Sequence, residues 1–228
     1  MNQEINSRFM RQLGIYNPNE HEDDRVTMIG CGGIGSFTAA GLAKLGIPHL
    51  TLIDPDEVEE HNLPNQNYSS GDIACPKVEA LAGLCHDEYN TIEAYQFALP
   101  NPEVPTLTGL VMSGLDSMSA RKEIWDECIK YNPRVPLYVD ARLSGEYMLA
   151  YAVNPTSPGD IDSYELTLHS DDEGEEVSCT ERGIIDVGLQ VASMLTRIAR
   201  RHFNRQEVPN ITIMNQASYV TTQGGWVK

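Results

Sequence analysis

The succession of apolar segments predicts an α/β fold, a mostly parallel sheet with helices on both faces and antiparallel strands toward the C-terminal edge. Two observations carry that expectation. Short β-branched runs alternate with helical ones through the first two-thirds of the chain, and the first such run, Val26–Ile29, leads straight into Gly30-Cys31-Gly32-Gly33-Ile34-Gly35. A buried strand, a G-x-G-x-x-G loop and an Ala/Leu-rich helix from Ser36 to Leu45 make the sheet Rossmann-like. Glycines let the backbone turn sharply and approach a phosphate, and the new helix offers unpaired N–H groups to the anion.

The remaining elements follow in order. His49–Ile53 is a second strand ending in Asp54, where an acid can bind a ribose hydroxyl. Thr91–Leu99 and Leu107–Leu115 form a third and fourth strand, the fourth ending at Asp116. Ser119–Lys130 reads as a helix with Ile124, Trp125 and Ile129 as its apolar positions. Pro136–Ala141 and Glu146–Val153 are strands five and six, joined by a hairpin across Leu143–Gly145. From Pro155 to Ser178 the chain is rich in Pro, Gly and acids, which predicts a long surface crossover. Arg182–Phe203 is a late helix with Ile185, Leu189, Ala192 and Leu195 on one face. Asn210–Met214 and Ser218–Thr222 close the chain as short strands. No internal repeat and no second domain is visible, so one domain over residues 1–228 is expected, with an N-terminal helical arm over 1–24.

Composition narrows the classes. A chain of 228 residues is long enough for a substantial core. Its formal net charge of −17 argues against a nucleic-acid-binding surface, because phosphates would be repelled. No apolar run approaches the ~20 residues of a membrane span, and no apolar signal segment opens the chain. Five scattered cysteines do not form a disulfide framework, so a reducing, cytoplasmic setting is expected. There is no C-x-x-C pair and no ligand spacing among the histidines, so zinc is not expected.

The run after Asp54 is more polar than a dehydrogenase needs. It carries Asp56, Asn62-Leu63, Asn65, Gln66 and then Lys77 in DIACPKVEA. Asp56 either touches the nucleotide or caps the following turn. An NAD-dependent dehydrogenase accounts for the glycine loop and Asp54 but leaves Asn62, Gln66 and Lys77 without a purpose.

These motifs resemble the ThiF/MoeB/HesA family, adenylating enzymes related to the ubiquitin-activating enzymes. The resemblance rests on GCGGIG, DPDEVEEHNLPNQ and CPKVEA. It also rests on Arg8-Phe9-Met10-Arg11-Gln12 near the start, GLDSMSARKEIW with Asp116 and Arg121, and SCTERGIIDVGLQVASM with Cys179. It implies ATP-dependent adenylation of the C-terminal glycine of a small ubiquitin-like or sulfur-carrier protein ending in Gly-Gly, with release of pyrophosphate. A carboxylate is already ionised near pH 7, so this chemistry needs phosphate neutralisation and positioning rather than a general base.

By the same resemblance, Lys77 contacts phosphates and Asp116 holds Mg²⁺. An Asp-Ser at a strand end is also an ordinary helix N-cap, a duty Ser117 can share. Arg8 and Arg11 lie on the N-terminal arm, and Arg11 would reach the nucleotide of a neighbouring protomer, which requires a homodimer. The nucleotide set implied is Gly30, Gly32, Gly33, Gly35, Asp54, Asp56, Asn62, Asn65, Gln66, Lys77 and Ser117 with the two arginines. Cys179 is either structural or a nucleophile, the latter needing a cationic or helix-terminal setting. One departure stands out: the family reads N-L-x-R-Q where this chain has Asn62-Leu63-Pro64-Asn65-Gln66. Losing that arginine leaves open a non-catalytic, ATP-binding partner protein as the alternative.

Overall fold

The structure, a computed structural model, describes residues 7–144, 147–169, 185–215 and 218–226. Its strands are β1 (Arg25–Ile29), β2 (His49–Ile53), β3 (Thr91–Tyr95), β4 (Leu110–Ser113), β5 (Leu137–Ser144), β6 (Tyr147–Val153), β7 (Ile211–Asn215) and β8 (Val220–Gly224). They form one sheet in the order β3-β2-β1-β4-β5-β6-β7-β8. The first five strands are parallel and the remaining pairings antiparallel. The helices are α1 (Gly35–Leu45), α2 (Lys77–Cys85), α3 (Met118–Ile124), α4 (Pro158–Glu165) and α5 (Ile185–Phe203), with a π-helical turn, Trp125–Ile129, prolonging α3.

Alternation along the strands builds two cores. Val26, Met28, Leu50, Leu52, Leu110 and Met112 face α1, α2 and α5 through Leu42, Leu81, Val191 and Leu195. Ile29, Ile53, Val111 and Tyr138 face the other way, onto Ile124, Trp125, Ile161 and Tyr164. Side chains two apart on a strand share a face, so a central sheet buried on both sides reads as the continuous apolar runs seen in the sequence. The chain leaves β1 toward β2 and β3 on one side, then returns to β4 and β5 on the other. The carboxyl ends of β1 and β4 therefore mark the topological switch point, where open α/β sheets bind ligands.

Several boundaries differ from the expected ones for physical reasons. β3 stops at Tyr95 rather than Leu99, because β2, its only neighbour among the described residues, ends at Ile53, the partner of Tyr95. β4 spans only Leu110–Ser113, the residues in register with Val26–Ile29; beyond them β1 becomes the glycine loop. β5 runs on to Ser144, held by β6 through pairing of Ser144 with Tyr147, and β7 and β8 begin one and two residues later than expected.

The expected crossover over 155–178 contains α4. Pro158 sits in its first turn, behind Ser157 at the N-cap position, a placement that suits proline's fixed φ, and Ile161 and Tyr164 are buried beneath it. α5 also turns a different face inward. Ala192 and Leu195 are buried, but Ile185 and Leu189 are 46% and 53% exposed, and Val187, Val191, Met194 and Ile198 take the inner side. Gly188 sets that rotation: a Cβ there would lie 2.9 Å from the Gly33 carbonyl. Ile185 and Leu189 then fall roughly 100° and 140° from the centre of the buried stripe.

Candidate functional site

The glycine loop bridges β1 and α1 at the switch point. Gly30 adopts φ +85°, and a Cβ on Gly35 would sit 1.8 Å from the Gly30 carbonyl, so no other residue fits there without moving the loop. The Gly30 amide donates to Ile53 O (2.8 Å) and the Gly114 amide to Ile29 O (2.9 Å), tying the loop to both neighbouring strands. Among the described residues, the amides of Gly32, Gly33 and Ile34 donate to no acceptor within the chain. They point out of the N-terminal end of α1, an arrangement suited to an anion.

Asp54 is buried at the end of β2. Its carboxylate accepts from the amides of Cys31 (2.6 Å) and Asp56 (2.9 Å). Burial pushes this carboxyl above the usual carboxylate range, against the lowering effect of both amides and of Lys77. The residue expected to bind ribose thus also holds the loop to the second strand. Lys77, the first residue of α2, is buried, and its ammonium lies 2.8 Å from Asp56 Oδ2. Its amide also donates to Asp56 O (2.9 Å), and Glu57 bridges Pro76 alongside. That pairing brings Lys77 back to the carboxyl end of β2 and gives Asp56 a role beyond the two expected of it, anchoring the lysine.

The stretch 59–68 lies against the loop. The Asn62 side chain is buried and accepts from the Glu59 amide (2.8 Å), capping its own turn. The carbonyl of Asn65 would lie 3.3 Å from a Cβ on Gly33, and Gln66 Nε2 4.0 Å from one on Gly32. Ser36 Oγ receives the Asn67 amide (3.0 Å), and the Tyr68 hydroxyl donates to Cys31 O (2.7 Å). The position where the family places its arginine therefore abuts the glycine loop.

Asp116 stands exposed just beyond β4, two residues after Gly114. Ser117 caps α3, its hydroxyl accepting from the Ala120 amide (3.2 Å). One carboxylate is enough for Mg²⁺, which keeps several waters and draws its other ligands from substrate phosphates. An exposed aspartate at the rim of the glycine loop fits that requirement. Among the described residues no cluster of three His, Cys, Asp or Glu could cage a metal by itself.

Beside Asp116 lies a group that sequence reasoning missed. Asp140 on β5 is fully buried and accepts from Arg121 Nε (2.9 Å), Arg142 Nε (2.6 Å), the Tyr164 hydroxyl (3.0 Å) and Ser113 Oγ (3.3 Å). Its signal was present: PLYVDAR puts Asp and Arg two apart on one face of an apolar strand, and a buried carboxylate must be paired.

The remaining expected residues lie elsewhere. Arg8 grips Asp87 with both terminal nitrogens and stacks on Tyr89, 4.9 Å from the ring centroid. Gln12 Nε2 donates to Leu45 O (2.7 Å), and Phe9 and Pro18 pack against Gly46, so the arm sits at the C-terminal end of α1. That end is roughly 16 Å from the glycine loop at ~1.5 Å per residue. Arg11 is exposed there and does not join Arg8 or this chain's own loop. Cys179 lies outside the described residues.

A profile of the ThiF family matches residues 8–222. Molybdopterin-synthase adenylyltransferase of Salmonella typhimurium is 32% identical over 133 residues, covering 55% of this chain and 52% of the relative. Ubiquitin-like modifier-activating enzyme 5 of Bombyx mori is 31% identical over 136 residues, covering 52% and 35% respectively. Adenylyltransferase and sulfurtransferase UBA4 of Yarrowia lipolytica is 39% identical over 71 residues, 31% of this chain and 18% of the relative. The chain thus spans about half or less of the length of these curated relatives. Among solved structures, the microcin C7 biosynthetic enzyme MccB in complex with N-formylated MccA aligns with a TM-score of 0.79 at 16% identity, over 100% of this chain and 75% of that one. E. coli MccB with ATP aligns at 0.72 and 15% identity, over 100% and 73%; at such identities the likeness concerns the fold. With the family profile running over nearly its whole length, this chain belongs to the ThiF family.

Proposed function

We propose that this protein uses ATP to adenylate the C-terminal glycine carboxylate of a small ubiquitin-like or sulfur-carrier protein. The observation that carries this reading is the convergence of unpaired loop amides, Lys77 and Asp116 on the switch point of a ThiF-family sheet. In the reaction a carboxylate oxygen attacks the α-phosphorus, the bond from that phosphorus to the bridging oxygen breaks, and pyrophosphate leaves with the electron pair. No proton moves. The amides of Gly32, Gly33 and Ile34 would receive phosphate oxygens, and Lys77 would spend its remaining donors on them while Asp56 keeps its stem in place. Asp116 would hold Mg²⁺, which neutralises phosphate charge as the leaving group departs.

Arg11 fits the scheme through a second copy of the chain. It sits at the far end of α1 from its own loop, so in a homodimer it would complete the partner's site. The names of the relatives support the carrier class, since they include a molybdopterin-synthase adenylyltransferase and a ubiquitin-like modifier-activating enzyme. The four described cysteines are free, which favours a cytoplasmic setting, and among the described residues no helix is long and apolar enough to cross a membrane.

ATP–pyrophosphate exchange measured with candidate carriers ending in Gly-Gly tests the proposal. Carrier-dependent exchange is expected. One observation favours a second reading, a nucleotide-binding partner without turnover: a neutral asparagine, Asn65, whose backbone carbonyl lies against the glycine loop, stands where the family has an arginine. ATP binding without exchange for any carrier would select that alternative.

A further inference from the structure

We infer that Asp140 is a positioning residue for the Asp116 loop, acting through Arg121. The inference rests on the adenylation reading for what Asp116 does, but its geometry is independent of it. Arg121 reaches both sides of Asp116: its Nη2 donates to Leu115 O and its Nη1 to Ser117 O (3.3 Å), while Nη2 also donates to Ala141 O (3.3 Å). One guanidinium therefore holds the carbonyls that flank the exposed aspartate. Its Nε donates to Asp140 at 2.9 Å. Arginine's planar fork transmits that constraint as a fixed orientation; a lysine keeps the charge but cannot span the four acceptors.

The other oxygen of Asp140 does parallel work. It holds Arg142 Nε, and that guanidinium binds Thr167 through its carbonyl (2.8 Å) and its hydroxyl (3.0 Å) while stacking on Tyr151 at 4.6 Å. Thr167 lies just past α4, where the chain departs toward α5. A single buried carboxylate thus ties the loop beneath the proposed phosphate site to the root of the crossover. Two cations around one anion leave a net positive charge among buried side chains, an arrangement costly to maintain for stability alone. Outer residues that orient a metal-holding group typically change metal affinity by ~10–100-fold when replaced.

The test is a double-mutant cycle on nucleotide binding, with the full chain and a readout other than turnover. ATP affinity is measured by calorimetry with Mg²⁺ and with EDTA, giving the magnesium-dependent gain for wild type, D140N, R121K and D140N/R121K. The expected result is a gain reduced about tenfold or more in each single variant, with no further loss in the double variant, while ATP affinity in EDTA stays within about threefold. Melting curves establish that each variant is folded. Should D140N not fold, R121K alone decides, its reduced gain supporting the assignment and an unchanged gain overturning it. A wild-type gain in folded D140N, additive losses in the double variant, or no magnesium-dependent gain in wild type would each overturn it. Failure of the adenylation reading looks different: exchange absent for every carrier, with the magnesium-dependent gain and its coupling intact.

Discussion

The two edges of the sheet offer opposite surfaces to solvent. At the amino edge, a cleft of about 870 Å³ is lined by residues such as Glu20, His21, Asp23, Asp24, Arg25 and His202. At the carboxyl edge, another cleft, of about 600 Å³, runs along Pro55, Glu57, Val58 and Ile73. Neither includes the glycine loop. Volume is thus a poor guide here and strand direction a good one. In a parallel sheet every strand ends, and every following helix begins, on the same edge, so unpaired amides and the positive ends of helix dipoles collect there. The amino edge receives helix C-termini instead and closes over them: the Asn204 amide nitrogen donates to Ile15 O, and His21 stacks on Tyr16 at 4.6 Å. One edge gathers the groups that the proposed triphosphate site needs; the other seals the arm against the body.

Substitutions on the two edges should therefore differ in kind. Asp116→Ala and Lys77→Ala should each cut ATP–pyrophosphate exchange by ~10²–10³, read as kcat/KM, while changing the melting temperature little for exposed Asp116. Loss of stability without loss of exchange would reverse the assignment of edges. The arm complicates the contrast usefully, because in a dimer the amino edge of one copy would serve the carboxyl edge of the other. Arg11→Ala and Lys77→Ala should each be deficient alone, yet a refolded mixture should regain at least ~10-fold over either, since mixed dimers hold one intact site. No recovery would confine Arg11 to its own protomer.

A smaller effect sits between the edges. Gly188→Ala places a Cβ 2.9 Å from the Gly33 carbonyl and from Phe37, and should cost about 1–3 kcal/mol of stability. ATP affinity should fall with it, because the clash is transmitted to the phosphate loop. The smallest effect belongs to the amino edge. His202 is held below its ordinary pKa by burial, so the folded state resists its charging. Above about pH 6.5 it is neutral in both states and contributes nothing. As pH falls below that value the unfolded chain binds the proton first, and stability declines. His202→Gln should flatten the drop in melting temperature between pH 7.5 and 5.5 without altering nucleotide affinity.

What the sequence made legible was local. The strand–loop–helix of residues 26–45 and the acid closing β2 are contiguous patterns whose chemistry is carried by glycine and by strand ends. The phosphate role given to Lys77 comes from resemblance alone, and its pairing with Asp56 was not foreseen, since nothing short-range predicts it. The Asp140 cluster was missed because its partners, Arg121 and Tyr164, approach only after β5, α3 and α4 pack together. α4 is hidden in the sequence because Pro, Gly and Asp dominate its first turn and imitate a loop, although Pro after Ser also opens helices. On α5 the period was right and the inward face wrong. Its rotation depends on a glycine meeting another loop's carbonyl, a contact between elements far apart in sequence.

The triphosphate's location can be read directly by amide hydrogen exchange on the full chain, with and without Mg²⁺–ATP. Slowed exchange should appear across Gly30–Gly35 and the start of α2 at Lys77, with none at residues 14–25 or 202–206. Protection confined to the amino edge, or a glycine loop that exchanges equally fast in the presence of saturating nucleotide, would contradict the carboxyl-edge site.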